Sequence, residues 1–259
     1  MFVLILNGKA IMYWIRRGWF SVFILLNCSA NAKELLLVAG LEKPPYVISS
    51  SNVGFEIDLM RAVLFTLDHE ISVVYVPYGR TYELMKKINA DIGLTLTEKS
   101  GVDSEILSQP YVTYQNVAIS LKEKSIKIDK IKDLQKYTLV AFQNASPILG
   151  SEFANAAKTS PLYIELPEQY RQVELLLNGK VDVVVMEINI FKYFAEMITG
   201  ISNIENFEVH NLFPLTRYSA AITDTELRKA FRLALTKFVA TAEYDELLNQ
   251  YNITYLRQN

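Results

Sequence analysis

The first 32 residues divide the chain into a segment expected to be removed and one that must fold without crosslinks. Met1 to Ala32 carry Lys9, Arg16 and Arg17 and no acidic residue, followed by an apolar run from Trp19 to Leu26 and then Asn27-Cys28-Ser29. Ala30-Asn31-Ala32 has the small-x-small form that a signal peptidase cuts, so an export signal is expected with cleavage after about Ala32. Met12 is an alternative start, since Met12 to Ala32 alone has the proportions of a compact signal. A membrane anchor is the competing reading. The three basic residues break the apolar stretch into pieces shorter than the ~20 residues that span a bilayer. Asn27 ahead of Cys28 disfavours a lipid anchor on that cysteine.

Cys28 is the single cysteine among 259 residues, so the chain from Lys33 onward has none. Its fold must rest on apolar burial and backbone hydrogen bonds, which a 51% hydrophobic composition can supply. A thiol-free protein suits an oxidising compartment, and a cysteine nucleophile is excluded. Removing the leader takes three of the 26 basic side chains and none of the 28 acidic ones. The remainder is mildly acidic, without the basic excess that nucleic-acid binding requires. With two histidines, a metal-built site is disfavoured, and no cofactor is expected.

From Glu34 onward, short β-branched runs alternate with helical patterns. Leu35–Ala39, Ile71–Val76, Asp91–Leu94, Tyr137–Phe142 and Val181–Met186 read as strands. Phe55–Leu67, Arg80–Ile88, Pro147–Ala156, Glu168–Leu177 and Ile188–Met197 read as helices, giving an α/β class. A last helix is announced by the capping-box spacing of Thr223 and Glu226, with Leu227, Phe231, Ala234 and Phe238 on one face. Glu83-Leu84 precedes Asp91 at the spacing at which Glu174-Leu175 precedes Asp182. Either the two halves share a βα unit, or helix–turn–strand units simply resemble one another. The lysine-dense run Lys122 to Lys132 is the best candidate for a lobe edge, or else a solvated face.

An ordered series of short motifs carries a resemblance. Pro44-Pro45-Tyr46 follows the first strand, Gly54-Phe55-Glu56-Ile57-Asp58-Leu59-Met60 opens the first helix, and Thr95-Leu96-Thr97-Glu98-Lys99 follows the third strand. Ser108-Gln109-Pro110-Tyr111, Asp133-Leu134, and Leu177-Asn178-Gly179-Lys180-Val181-Asp182 running into Met186-Glu187 complete it. In these features the chain resembles the family 3 solute-binding proteins that serve ABC-type importers of polar amino acids. The resemblance implies a two-lobed type II periplasmic-binding fold with two crossing hinge strands. Lobe 1 is then expected at 33–120 plus 215–259 and lobe 2 at 121–214, closing over a ligand between them.

In that family an arginine after the Thr-Glu-Lys-like segment forks onto the ligand carboxylate, and an acid after the Gly-x-x-Asp strand holds its ammonium. The acid position matches here as Glu187, while the arginine position holds Ser100, which supplies no bidentate cation. Lys99, Arg80 and Arg217 are the basic residues that could compensate for it, each with the alternative of a surface role. Arg80 is preferred, because strand C-termini in open α/β sheets face the ligand crevice. Thr95 matches a position offering hydroxyl or backbone contacts, or else caps the next turn. Tyr46 matches the aromatic that stacks on ligands, or else packs in the core. Ser146 before Pro147 reads as a helix N-cap whose free amides would receive an anion. Asp58, Asp91 and Asp182 are assigned to structure, and His69 and His210 have no ligand-like spacing.

The expected function is that of an exported, periplasmic and monomeric binding protein, not an enzyme. It would capture a small polar ligand for an ABC permease or a membrane sensor. An amino acid is implied by resemblance, with peptides, polyamines and organic acids left open by Ser100. The alternative is a dehydratase-like enzyme on the same scaffold using Glu187 as acid or base.

Overall fold

A computed structural model describes residues 33–77, 79–201 and 204–254. The expected export signal, with Cys28 and both possible starts, lies outside the described residues. Among these, no helix is long and apolar enough to cross a membrane.

The first half builds β1 (Lys33–Gly40), α1 (Phe55–Phe65), β2 (His69–Val76), α2 (Thr81–Lys87), β3 (Ile92–Leu96) and β4 (Leu107–Tyr114). The second half builds β5 (Asn116–Leu121), β6 (Leu139–Phe142), α3 (Ala145–Leu149), α4 (Ser151–Thr159), β7 (Tyr163–Leu166), α5 (Gln169–Leu177), β8 (Val183–Glu187), α6 (Ile188–Thr199) and β9 (Phe207–His210). The chain ends with β10 (Thr216–Ile222), α7 (Thr225–Phe238) and α8 (Ala242–Gln250).

Two five-stranded sheets result, ordered β2-β1-β3-β10-β4 and β7-β6-β8-β5-β9. In each, the three strands joined through helices run parallel, and strands arriving by crossing connections pair antiparallel. The parallel strands are apolar on both faces: Leu35, Leu37, Val38 and Ala39 of β1 and Val183, Val184, Val185 and Met186 of β8 are fully buried. Helices cover those faces, as parallel sheets demand. This is a two-lobed α/β fold. The chain changes sheet at Gln115, between β4 and β5, ahead of the expected change near residue 120, and returns between β9 and β10. Gln115 Nε2 donates to Asn211 Oδ1 at 3.0 Å, which ties the two crossings together.

The repeated Glu-Leu…Asp spacing has a structural basis. Asp91 accepts from Leu36 N through its carboxylate, and its own N–H donates to Leu36 O. Asp182 does the same with Thr138 N and Thr138 O just ahead of β6. Each aspartate thus pins the start of one parallel strand to its neighbour, with Lys33 and Lys124 as exposed partners.

Three local expectations change. Helix α7 is capped by Asp224, whose carboxylate accepts from Leu227 N at 2.7 Å, while Thr223 bonds Asp91 O, because a carboxylate is the stronger acceptor at a helix start. The expected helix over 147–156 is two helices, broken at Gly150 with φ 96°. Ser146 lies inside α3, whose N-cap is Asn144, so its predicted capping role is not observed.

Candidate functional site

The C-terminal ends of β1, β2 and β3 carry one set of loops and those of β6, β7 and β8 another, the positions at which open α/β sheets take ligands. Tyr46 lies on the first set and Glu187 on the second. Tyr46 is fully buried; its hydroxyl donates to Glu187 Oε1 at 3.0 Å and accepts from Asn189 Nδ2 at 3.0 Å. Its ring stacks on Tyr114 with centroids 4.3 Å apart. Gly54 makes the turn possible: at φ 126° it lets the Tyr46 and Val47 backbone approach so closely that a Cβ would sit 2.7 Å from the Tyr46 carbonyl carbon.

Glu187 is 3% exposed and ends β8 as the N-cap of α6. Its Oε2 accepts from Asn189 N at 2.7 Å and Ile190 N at 2.9 Å, and its Oε1 also from Gln115 N at 3.4 Å. Burial pushes its carboxyl up to about 7, against the opposing pull of the Ile190, Gln115 and Asn189 amides and the Tyr46 hydroxyl. Glu187 is thereby committed at once to capping α6 and to contacts with Gln115 and Tyr46. The C-terminal tail joins the same place, Thr254 N donating to Asn189 Oδ1 at 3.1 Å.

Beneath Tyr46 lies a second polar group. Glu56 is fully buried and Lys43 is 5% exposed. Lys43 Nζ donates to Thr95 Oγ1 at 2.8 Å, Glu56 Oε1 at 3.1 Å and Tyr114 OH at 3.2 Å, so its three protons have three acceptors. Glu56 accepts from Thr95 Oγ1 at 2.6 Å, from Tyr114 OH at 2.5 Å and from Tyr111 OH. Burial raises the Glu56 carboxyl, but Lys43 and the three hydroxyls outweigh it and hold it below its ordinary value. The same burial and the Glu56 charge push Tyr111 and Tyr114 well up, so both stay protonated donors.

Thr95 has φ 56°, a left-handed conformation rare for a β-branched residue and costing roughly 1–3 kcal/mol. The Tyr111 hydroxyl oxygen accepts its N–H at 2.9 Å, and the Lys43 and Glu56 bonds hold its hydroxyl.

The remaining expected residues do not join this cluster. Arg80 is exposed and pairs with Glu83 at 2.6 Å. Lys99 and Ser100 are exposed in a short 3-10 turn, where Ser100 Oγ accepts from Thr97 N at 3.2 Å. Arg217 is exposed on β10 beside Thr113 of β4. Ser146 donates through N and Oγ to Glu165 Oε1, both at 3.0 Å, and Asn144 N donates to Glu165 Oε2 at 2.8 Å. The amides expected to receive a ligand anion already hold the chain's own carboxylate, which they keep, with Tyr163, below its ordinary value despite partial burial.

In the sequence Glu56 and Tyr111 stand out only as members of the motifs above, and Lys43, Tyr114 and Asn189 not at all. One signal was there: Glu56 stands three and four residues before the apolar Leu59 and Met60, on the face α1 turns inward.

Two α/β lobes joined by paired crossings, with their strand ends sharing a buried polar floor, define a two-lobed solute-binding scaffold. The chain belongs to the bacterial extracellular solute-binding proteins, family 3, whose model matches residues 36–254, and it is accordingly a ligand-binding protein. No curated protein sequence matches it significantly. Among solved structures it is similar to a histidine kinase sensor domain with similarity to periplasmic binding proteins, at 16% identity and TM-score 0.67, covering 85% of this chain and 96% of that one. It is similar to the ancestral amino acid-binding protein AncCDT-1, a precursor of cyclohexadienyl dehydratase, at 21% identity and TM-score 0.65, covering 84% and 95%. It is also similar to AbpA, an amino acid ABC transporter substrate-binding protein from Streptococcus pneumoniae bound to L-arginine, at 22% identity and TM-score 0.63, covering 84% and 94%. At these identities the likeness carries the fold.

Proposed function

We propose that the protein is exported across the inner membrane, loses its leader after about Ala32, and captures a small polar solute between its lobes in the periplasm. Lobe 1 is taken as the segments contributing β1 to β4 and β10 to α8, and lobe 2 as the segment from β5 to β9. The supporting observation is the Tyr46–Glu187 contact, which links the strand ends of the two lobes beside the Gln115 crossing. A ligand held between those ends stabilises the closed arrangement over the open one, and differential affinity is all the function requires. The monomer would deliver its ligand to an ABC permease or a membrane sensor, as suits a fold shared with an ABC transporter substrate-binding protein and a histidine kinase sensor domain.

The ligand class is shaped by Ser100. With no fork of donors there, and with Glu165 on the amides at the start of α3, a ligand carboxylate would take its counter-charge from the rim, where Arg80 is preferred. Tyr46, Thr95 and Glu187 would form the floor, and Lys99, Ser100, Ser146 and Arg217 its edges. A thermal-shift screen of the chain from Lys33 against amino acids, polyamines and organic acids tests this reading. A saturable rise with at least one compound is expected; a flat response to the whole panel refutes it.

One observation favours a second reading. Glu187 combines burial with a carboxyl raised to about 7, the condition of a general acid or base at neutral pH, and one structural neighbour is described as the precursor of a dehydratase. Turnover of prephenate-like substrates by wild type, absent in Glu187→Gln, would establish it.

A further inference from the structure

The acceptors around Lys43 come from three elements other than the loop that carries it: Glu56 from α1, Thr95 from β3 and Tyr114 from β4. They meet one nitrogen at 2.8 to 3.2 Å, and the face of Tyr114 lies 5.5 Å from it. Tyr111 and Thr95 donate to the remaining lone pairs of Glu56, fixing the carboxylate independently of the lysine. Lys43 itself reaches in on a flexible stem from the β1–α1 loop. We propose that Glu56, Thr95 and Tyr114 form a binding site for a primary ammonium group, and that the chain fills it in cis with Lys43.

The site needs no lobe closure, so it goes beyond the solute-binding reading, with which it shares Thr95. It lies at the C-terminal ends of β1 and β3, where a free amine would otherwise find a buried carboxylate and a β-branched hydroxyl held in place by Glu56 and by the Thr95 N–H bond to Tyr111. Lys43 is therefore a specificity-determining residue: while it occupies the cage, no external amine is recognised there. Without it, the floor of the first lobe becomes a receptor for alkylammonium ions.

Lys43→Ala removes the atoms of n-propylammonium, which is the probe. Melting temperatures of wild type and Lys43→Ala are measured with n-propylammonium chloride against n-propanol and sodium chloride at equal concentration. The variant should show a saturable rise of roughly 2–4 °C at about five times the dissociation constant, wild type none, and n-propanol none. The response should vanish in Lys43→Ala/Glu56→Gln. Should Lys43→Ala not fold alone, refolding from urea is compared with and without the amine, and recovery with propylammonium but not propanol supports the site. No rise and no recovery, or an equal response in wild type or with propanol, overturns it.

Discussion

Glu187 makes a sharp claim about pH. Its carboxyl is raised from an ordinary value of 4.5 to about 7 because burial, 3% exposure, outweighs the donors around it. Between those values the folded state holds a proton that the unfolded state has lost, so stability falls as pH rises. The stabilisation is fully present below pH 4.5 and is lost as the pH passes through about 7. The gap of about 2.5 units, at about 1.4 kcal/mol each, makes the loss about 3 kcal/mol, or roughly 6–12 °C in melting temperature for a chain of this size. Glu187→Gln keeps an acceptor for the α6 amides and removes the titration. Urea unfolding of both proteins at intervals from pH 4 to 8 isolates the effect, because the other carboxyls contribute equally to each curve. The variant should gain about 3 kcal/mol relative to wild type across that range. Parallel curves would refute the assignment of a raised carboxyl to this position.

Tyr46→Phe keeps the stack on Tyr114 and deletes the bond to Glu187. It should cost about 1–2 kcal/mol by urea unfolding and move the Glu187 midpoint above about 7, since the phenol favours the carboxylate; an unmoved midpoint would count against the contact. Glu56→Gln leaves the Lys43 ammonium buried without a counter-charge and should cost about 3–5 kcal/mol at pH 7, with Lys43→Met/Glu56→Gln recovering part of it; a loss within experimental error would show the pair is not buried. Arg80→Ala should leave the ligand-free melting temperature unchanged, because the guanidinium is exposed with Glu83. It should weaken the response to anionic ligands from the screen, and an unaltered response removes Arg80 from the rim.

Periodicity made the parallel strands and their helices legible, because strands buried on both faces read as β-branched runs and helices as apolar stripes. It also exposed the Asp91 and Asp182 pins, whose equal spacing follows from equal work. What stayed hidden depended on contacts between distant segments. Lys43 and Glu56 are single charges 13 residues apart, and nothing local says that Tyr111 and Tyr114 will arrive from β4 to enclose them. Glu187 is legible from its place after β8, but its saturation by Tyr46, Gln115 N, Ile190 N and the backbone and side-chain N–H groups of Asn189 depends on Gln115 and Tyr46, remote in sequence. Ser146 misled because the Ser-Pro pair reads as a helix start, whereas Asn144 with φ 62° caps the helix two residues earlier and Glu165 arrives from β7.

The convergence on Glu187 has a consequence for binding. One carboxyl meets the crossing strand through Gln115 N, the second lobe through the α6 amides, and the first lobe through Tyr46. Because it titrates near neutrality, any ligand that alters this surrounding must exchange protons with solvent. An ammonium brought beside Oε1 favours the carboxylate and releases a proton; a carboxylate brought there favours the acid and takes one up. Titration calorimetry at pH 7 in two buffers of different ionisation enthalpy reads the sign directly. For an ammonium-bearing ligand found in the screen, proton release is expected. Its absence would place the ammonium away from Glu187, leaving that residue to join the lobes without touching what they hold.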